Sequence, residues 1–339
     1  ETAKISECCR LSFKLEESDL RDAMEPWRMR YCALQNVSLN LPRIAYLAKK
    51  DDTKLMNLLS DRFVLAAKAH KEKRAFIEKL LAHGEDGPLA LLTMKRDGMP
   101  YLRFDRASHL VGMVGLNEMV QIHTGQEMHE SKKALKFGLK VMAHLKLLTD
   151  KMQRQEGFKI VLEQTPAEST SYRFARLDLR YFSPASGRIV KGDIASGEVY
   201  YTNSTHMNVQ YPMNPIERVD SEGIFHPLIE AGSISHVWLG ESQPYKDALA
   251  DFVVKTFRHT TNDQIAFSPE FTTCNKCHRT ARGLNDTCSY CGSPDVDGIT
   301  RITGYFTKVS SWNKGKRGEL KDRHRVGEYF AERQRAVNE

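Results

Sequence analysis

The spacing of hydrophobic residues along the chain predicts two long helices. Over residues 53–83, and again over residues 131–152, apolar side chains recur every three or four positions, which is the period of an amphipathic helix. Gly84 and Pro88 follow the first segment and provide a stop signal. Both segments also carry many charged residues, which we assign to the solvent-facing sides of the helices.

Shorter apolar runs predict strands between these helices. Residues 5–14 read as a strand or loop around a pair of cysteines, and a strand over residues 37–41 should end at Pro42, because proline cannot donate a hydrogen bond to a sheet. Further strands are predicted at 158–163, 199–202 and 234–239, and further helices at 167–176 and 245–259. The alternation of strands and helices up to about residue 265 predicts an α/β fold with a mostly parallel sheet.

Composition and charge narrow the class of protein. The chain has 339 residues, of which 41% are hydrophobic, and its formal net charge is +7. These values are ordinary for a globular protein of two domains, or of one large domain with an appendage. No apolar run approaches the roughly 18–20 residues that span a bilayer, and no leader pattern is present, so we expect a cytoplasmic protein without membrane association. The sequence starts at Glu1 rather than Met, which suggests a piece of a longer protein.

Four of the seven cysteines form two Cys-x-x-Cys pairs near the carboxyl end, at Cys274, Cys277, Cys288 and Cys291. An odd cysteine count without a leader indicates a reducing compartment, where such pairs bind metal more often than they form disulfides. Four thiolates complete the tetrahedral shell of a zinc ion and leave no position for a substrate, so we predict a structural zinc site. An iron–sulfur cluster or a pair of disulfides is the alternative. His278 is then a bystander.

A glycine follows the cysteine pairs in the sequence RITGY, which spans residues 301–305. Alone, Gly304 would be an ordinary turn residue. An Arg-x-x-Gly-Tyr segment between a four-cysteine knuckle and a basic stretch at 313–323, however, resembles the glycyl-radical segment of anaerobic (class III) ribonucleoside-triphosphate reductases. A radical on Cα is stabilised by the flanking amide groups only if that carbon can flatten, which a missing side chain permits. The resemblance implies that Gly304 stores the radical.

Four other segments carry the same resemblance, which extends from about Cys8 to about Arg325. They are SECCRL at 6–11, NLPRI at 40–44, GLNE at 115–118 and TPAESTSYRFA at 165–175. The first is similar to the tip of the family's finger loop, whose cysteine becomes the thiyl radical that removes the 3′ hydrogen of the ribose. Alignment on Arg10 gives this role to Cys9 and makes Cys8 its packing neighbour.

The last of these segments resembles the stretch that holds the substrate's phosphates. The resemblance implies contacts from Ala167, Glu168, Ser169, Thr170 and Ser171. A strand that ends near 163 and turns into a helix near 167 leaves unpaired backbone N–H groups, which form an anion cradle with the nearby hydroxyls. We expect Glu168 to point away from it, because its charge would repel phosphate. The alternative is that Ser169 or Thr170 only caps the helix.

Cys32 is a departure from the family pattern. Many members that take electrons from formate carry an asparagine in the corresponding strand, and that position falls at or near Ala33 here. We therefore hypothesise that Cys32 forms a transient disulfide with Cys9, which a thioredoxin- or glutaredoxin-like protein reduces again. The alternative is an ordinary half-buried strand cysteine. We interpret His226 and His236 as structural.

The resemblance also implies a fold and an activity. The fold is part of a ten-stranded α/β barrel of the glycyl-radical enzyme type at residues 1–265, with the finger loop near 5–15, and a zinc and radical-loop module at 266–339. The activity is anaerobic reduction of ribonucleoside triphosphates to 2′-deoxyribonucleoside triphosphates. The expected partners are a radical-SAM activating enzyme, a missing amino-terminal portion of the reductase and a second copy in a homodimer.

Two other functions remain open from the sequence. Lysines and arginines accumulate after residue 307, so a zinc-ribbon protein that binds nucleic acid through a basic tail is one alternative. Another glycyl-radical enzyme, acting on a different small molecule, is the second.

Overall fold

The computed structural model describes residues 4–6, 11–15, 17–19, 22, 24–25, 28–326 and 329–330. Cys8 and Cys9 lie outside the described residues. The described strands are β1 (Lys4–Ser6), β2 (Ser12–Lys14), β3 (Cys32–Asn40), β4 (Lys95–Arg96), β5 (Met99–Pro100), β6 (Ala107–Val114), β7 (Ile160–Glu163), β8 (Lys191–Asp193), β9 (Glu198–Tyr200), β10 (Ser235–Gly240), β11 (Ile265–Pro269), β12 (Phe271–Cys274), β13 (Thr280–Arg282), β14 (Val296–Arg301) and β15 (Phe306–Lys308). The described α-helices are α1 (Leu41–Ala48), α2 (Asp52–Leu81), α3 (Ala90–Thr93), α4 (Leu116–Thr124), α5 (Lys132–Glu156), α6 (Glu168–Phe182), α7 (Pro215–Gly223), α8 (Lys246–His259) and α9 (Lys314–Asp322).

Parallel strands form the centre of the fold. β6 lies between β3 and β7 in one parallel sheet, and β10 pairs with β11 in another. Main-chain hydrogen bonds from Ala231 N to Leu162 O (3.0 Å) and from Gln164 N to Gly232 O (3.3 Å) connect β7 to the segment that leads into β10. The prediction of an α/β fold is therefore confirmed. The pairing is parallel in these central sheets and antiparallel in the hairpins β1–β2, β4–β5 and β8–β9, and the ten-stranded barrel stays a prediction.

The two faces of the first sheet are covered by different elements. Helices α1, α2, α4 and α5 pack on one face and form the largest hydrophobic cluster among the described residues, which includes Val111 and Leu162. The opposite face, which carries Leu110 and Val161, receives the β1–β2 hairpin through Leu11 and Phe13. This alternation follows from the two-residue period of a strand. The hairpin that flanks the two undescribed cysteines thus lies on the face of the sheet opposite the helices.

The carboxyl-terminal part forms an antiparallel sheet in the order β13-β12-β14-β15 and then returns to the α/β part through α9. β11, which spans the predicted boundary at residue 265, pairs with β10 and runs directly towards β12. Two glycines bring α9 close to β9. A Cβ on Gly315 would lie 2.7 Å from Val199 O, and one on Gly318 would lie 2.4 Å from Glu198 O. Any larger side chain at either position would push the helix off the strand.

Most of the longest elements match the sequence-based predictions, but the shorter helices α1, α4, α7 and α9 and the strand β6 are not among the predicted elements. The predicted helices correspond to α2, α5, α6 and α8, and β3 ends at Asn40, two residues before Pro42, which lies in the first turn of α1. The central strand β6 was not predicted, although all eight of its residues are buried. Ser108 and His109 interrupt its apolar run, so the alternation typical of a half-buried strand is absent. Among the described residues, no helix is both long enough and apolar enough to cross a membrane.

Two histidines are buried side by side between α2 and β6. His70 Nε2 lies 2.9 Å from Leu110 O and His109 Nδ1 lies 3.0 Å from Lys159 O, with the two rings 5.5 Å apart. Because a carbonyl only accepts, these nitrogens carry the protons. Burial lowers the pKa of both rings, against the opposing effect of the backbone hydrogen bonds, and the pKa of His109 falls to about 4. Both rings are therefore neutral at pH 7.

We expect the free energy of unfolding to decrease as the pH falls from about 6.5 to about 4. The unfolded chain protonates His109 near pH 6.5, whereas the folded protein resists protonation until about pH 4. The loss should be on the order of 2–3 kcal/mol and is measured by urea unfolding across this range. His109→Asn keeps a donor towards Lys159 O and should flatten the dependence, while the exposed His83→Gln variant should match wild type. A slope unchanged in His109→Asn would contradict this assignment.

Candidate active site

Polar side chains connect the middle of β3 to the carboxyl end of β7 and the turn that follows it. Asn36 Nδ2 donates to Glu163 and, at 3.1 Å, to Thr165 Oγ1. Gly112 lies against this pair, since a Cβ there would be 1.6 Å from Thr165 Oγ1. These contacts hold the turn that leads from β7 into α6.

The turn leads into a helix, α6, whose amino-terminal end has no side-chain cap. Ala167 has a φ of 49°, a left-handed conformation, and no side chain caps the helix that starts at Glu168. Ser169 is exposed and Thr170 is half-buried. In contrast, the Ser171 hydroxyl donates to Tyr201 O at 2.5 Å and accepts from Tyr201 N at 3.2 Å, so it is already committed to the protein. The alternative of a simple serine or threonine cap is not what the structure contains.

A buried carboxylate connects α6 to the NLPRI segment. Asp178 accepts from Asn40 Nδ2 (3.0 Å), Arg43 Nε (2.7 Å) and the Tyr201 hydroxyl (3.1 Å). Asn40 also caps α1 by accepting from Arg43 N at 3.1 Å. The carboxylate of Asp178 thus holds the NLPRI segment and α6, which are far apart in the sequence, in a fixed arrangement. The buried face of α6 consists of Ser171, Ala175 and Asp178. An aspartate that the helical period places on a buried face is the sequence signal from which this connection could have been predicted.

The GLNE segment, on the other side of the site, also uses a buried carboxylate to hold a distant part of the chain. Glu118 is buried and accepts from both Thr202 N (3.1 Å) and Thr202 Oγ1 (2.5 Å), and burial raises the pKa of its carboxyl group. Asn117 Nδ2 donates to Glu127 at 2.8 Å, which in turn binds Lys191 Nζ at 2.5 Å. The segment therefore positions the polar loop that follows β9.

Gly304 lies at the tip of the β14–β15 hairpin. The strands pair Arg301 with Phe306, and Ile302 N donates to Tyr305 O at 3.0 Å. Thr303 Oγ1 donates to Pro166 O at 3.4 Å. The glycine tip and the β7–α6 turn, which are far apart in the sequence, are therefore in direct contact.

Buried charges hold the base of this hairpin. Arg323 donates to the carbonyls of Arg301 (2.9 Å) and Ile302 (2.8 Å) and pairs with Glu319 at 2.9 Å. Lys316, only 1% exposed, pairs with the same carboxylate at 2.6 Å. The basic stretch after residue 307 is thus only partly a solvated tail, because two of its cations lie in the core.

A small cavity of about 10 Å³, room for about one water molecule, lies behind Thr303. Its lining includes Asn203, His206, His236 and Trp238. The Asn203 Oδ1 atom is buried and has no hydrogen-bond partner among the residues that the structure describes. His236, interpreted as structural from the sequence, therefore adjoins the glycine hairpin.

The four cysteines of the carboxyl-terminal module converge on one point. Their sulfur atoms all lie within 4.8 Å of one another, with Cys274 and Cys291 3.7 Å apart and Cys277 and Cys288 3.6 Å apart. Sulfurs bound to one tetrahedral zinc at about 2.3 Å would be roughly 3.8 Å apart, so the donor set fits such an ion. His278 is exposed and outside the cluster. The cluster can hold a metal ion.

Cys32 is the first residue of β3 and is half-buried. The neighbouring Tyr31 stacks on Phe13 of the β1–β2 hairpin, with ring centroids 5.3 Å apart, and Ala33 joins the same cluster. Cys9 lies outside the described residues, but Leu11 and Phe13, which follow it, pack beside the amino-terminal end of β3.

Comparison with known proteins identifies the relatives of this chain. The sequence profile of a family described as anaerobic ribonucleoside-triphosphate reductase matches residues 1–325. The chain is 29% identical over 303 residues to the enzyme of that name from Escherichia coli K12, covering 85% of this chain and 41% of the relative. It is 28% identical over 309 residues to that of Enterobacteria phage T4, covering 86% and 48%. The chain thus spans less than half the length of these relatives.

Solved structures have the same fold. A structure named anaerobic ribonucleotide reductase superposes with a TM-score of 0.70 at 21% identity, covering 87% of this chain and 45% of that one. The anaerobic ribonucleotide reductase from Thermotoga maritima, solved in complex with dATP and CTP, gives 0.68 at 21% identity, covering 86% and 45%. Together with the profile match over nearly the whole sequence, this means that the chain belongs to the anaerobic ribonucleoside-triphosphate reductase family.

Proposed function

We propose that this chain carries the radical-storing and phosphate-binding parts of an anaerobic ribonucleoside-triphosphate reductase. The observation that carries the proposal is the contact between the Gly304 hairpin and the β7–α6 turn through Thr303 and Pro166. It brings the residue that would store the radical next to the residues that would hold the substrate. The relative from Thermotoga maritima was solved with two nucleotides, in keeping with such a substrate.

The proposed reaction moves one hydrogen atom at a time. A radical-SAM activating enzyme removes a hydrogen atom from Gly304 Cα. The Gly304 radical then takes the hydrogen of the Cys9 thiol, and the resulting thiyl removes the 3′ hydrogen of the ribose. The 2′ hydroxyl leaves as water, the intermediate takes up two electrons and two protons, and a hydrogen atom returns to the 3′ carbon as the radical is restored on Gly304.

The substrate's phosphates would lie on the first turn of α6. The residues that contribute to this proposed cradle are Ala167, Glu168, Ser169 and Thr170, whose backbone N–H groups begin an uncapped helix. Ser171 would support the cradle from below, since its hydroxyl is bound to Tyr201. Asn313 Nδ2, which donates to Glu168 O at 2.8 Å, ties the cradle to α9.

A partner portion would complete the barrel along β3. Among the described strands β3 pairs with β6 alone, so its other edge is open. A groove of about 360 Å³ follows this edge, and Leu65 in its wall is 53% exposed. We assign the groove to the portion of the reductase that this sequence does not include. A homodimer and a thioredoxin- or glutaredoxin-like reductant complete the proposed set of partners.

Nucleic-acid binding is a weaker candidate. It would need the carboxyl-terminal cations at the surface, whereas Lys316 and Arg323 are buried in ion pairs with Glu319.

Anaerobic activation should produce a doublet electron-spin-resonance signal in the wild-type chain and none in Gly304→Ala. The substitution adds a side chain that hinders flattening at Cα and removes the hydrogen that splits the signal into a doublet. Gly187→Ala is the matched control, because the atom nearest to an added Cβ is Ile194 Cδ1 at 3.9 Å. Exposure to oxygen should cleave the activated wild type at residue 304. A doublet that persists in Gly304→Ala would remove the proposal.

The purified chain should contain about one zinc ion, bound by the four clustered cysteines. Cys277→Ser and Cys291→Ser should lose it, as measured by elemental analysis, and strong chelation should make residues 271–308 sensitive to protease, because the site closes a segment with little core of its own. Cys32→Ser should retain the metal. Stoichiometric iron and sulfide would indicate a cluster instead, and no metal with four oxidised thiols would indicate disulfides.

Oxidation of the two thiols Cys9 and Cys32 to a disulfide would supply the two electrons and two protons that the substrate consumes. One turnover without added reductant, followed by thiol trapping and mass spectrometry, should therefore show this disulfide, and thioredoxin or glutaredoxin should remove it. Cys32→Ser should block multiple turnovers, and Cys8→Ser should not. An unmodified Cys32, or its disulfide with a cysteine of another portion, would contradict the pairing.

A further inference from the structure

The side chain of Arg301 folds back over the tip of the hairpin. Its guanidinium donates from Nη1 to the carbonyl oxygen of Gly304. The same group lies over the ring of Phe306, with Cζ 4.7 Å from the ring centroid. Because Phe306 is the cross-strand neighbour of Arg301, the hairpin itself directs the cation towards the glycine.

This hydrogen bond is not needed to close the hairpin. The tip is already closed by the main-chain bond between Ile302 N and Tyr305 O. The backbone of Arg301 is held independently by Arg323, which donates to its carbonyl and pairs with the buried Glu319. The hairpin thus holds the guanidinium of Arg301 on the carbonyl oxygen of Gly304.

We propose that Arg301 stabilises the radical form of Gly304 through this hydrogen bond and thereby sets how firmly the radical is stored. The inference rests on the proposed function, in which Gly304 holds the unpaired electron. In such a radical the amide nitrogen donates electron density through Cα to the carbonyl, so negative charge builds up on the carbonyl oxygen. A guanidinium bonded to that oxygen stabilises this charge, and charge-assisted hydrogen bonds are roughly twice as strong as neutral ones.

The affected step is the transfer of one hydrogen atom between two residues. The S–H bond of Cys9 breaks and the Cα–H bond of Gly304 forms, or the reverse, and no other atom or electron moves. Arg301 stabilises the state in which Gly304 is the radical and Cys9 is a thiol. Its removal should shift this balance towards the thiyl by about tenfold, which corresponds to a gain of about half the strength of a hydrogen bond to a charged group when the radical forms.

The hydrogen bond itself can be tested without a radical. Gly304–Tyr305 is the sole Gly-Tyr step in the sequence, so labelling with [1-¹³C]glycine and [¹⁵N]tyrosine gives a single coupled carbonyl–amide resonance. Arg301→Met removes the donor and should move the ¹³C signal upfield. Arg301→Lys should keep it closer to wild type. Lys308→Met, an exposed position of the same hairpin, is the matched control for loss of charge and should leave the signal in place.

The effect on the radical is tested by spin resonance after anaerobic activation of the same variants. Loss of the cation confines more spin to Cα, so the doublet splitting should increase in Arg301→Met and the radical should decay about tenfold faster. Arg301→Lys should restore both values towards wild type, and Lys308→Met should not change them.

The two experiments separate the two ideas. A wild-type chain without a doublet would remove the proposed function, whatever the carbonyl resonance does. A wild-type doublet with an Arg301→Met signal of equal splitting and lifetime would overturn the inference and leave the proposed function intact. An unchanged carbonyl resonance in Arg301→Met would overturn the inference as well.

Discussion

The buried ion pair between Arg323 and Glu319 is the interaction on which the arrangement of the site depends. A buried charge is tolerated only when it is paired and hydrogen-bonded, and Arg323 meets this condition through the carboxylate of Glu319 and two carbonyls at the base of the glycine hairpin. Loss of Glu319 would remove the carboxylate that pairs with both Arg323 and Lys316, at a cost of about 3–5 kcal/mol. The pair therefore fixes α9 and the hairpin in one position relative to each other.

The same principle recurs around the site, where buried carboxylates collect donors from several elements. Asp178 joins the start of α1 to α6, and Glu118 fixes the loop after β9. Each carboxylate accepts more than one hydrogen bond, so each has a definite geometry. Radical chemistry needs such rigidity, because a reactive intermediate must meet only its intended partner. In our interpretation, these acidic residues act as positioning groups rather than as acids or bases.

The cysteine cluster has a different purpose, which follows from the shortage of apolar residues around it. The segment between β12 and β14 is rich in polar and turn-forming residues and contributes little to any hydrophobic cluster of the described residues. A bound ion would substitute for the missing core and hold β12 and β14 in register. β14 leads directly into the glycine hairpin. A metal ion bound near the start of β14 would therefore restrict the motion of Gly304, which lies just beyond its end.

Local chemistry in the sequence determined the two long helices, the end of β3 before Pro42 and the convergence of the four cysteines. Periodicity, proline geometry and ligand spacing act over a few residues, so they can be read without a structure. The tertiary structure alone decided that β6 is central, that Asp178 joins two distant segments, that Ser171 binds Tyr201 rather than solvent, and that the cations of α9 are buried. These features depend on contacts between residues far apart in the chain, and the identity of a charged or polar residue does not reveal which distant partner will neutralise it.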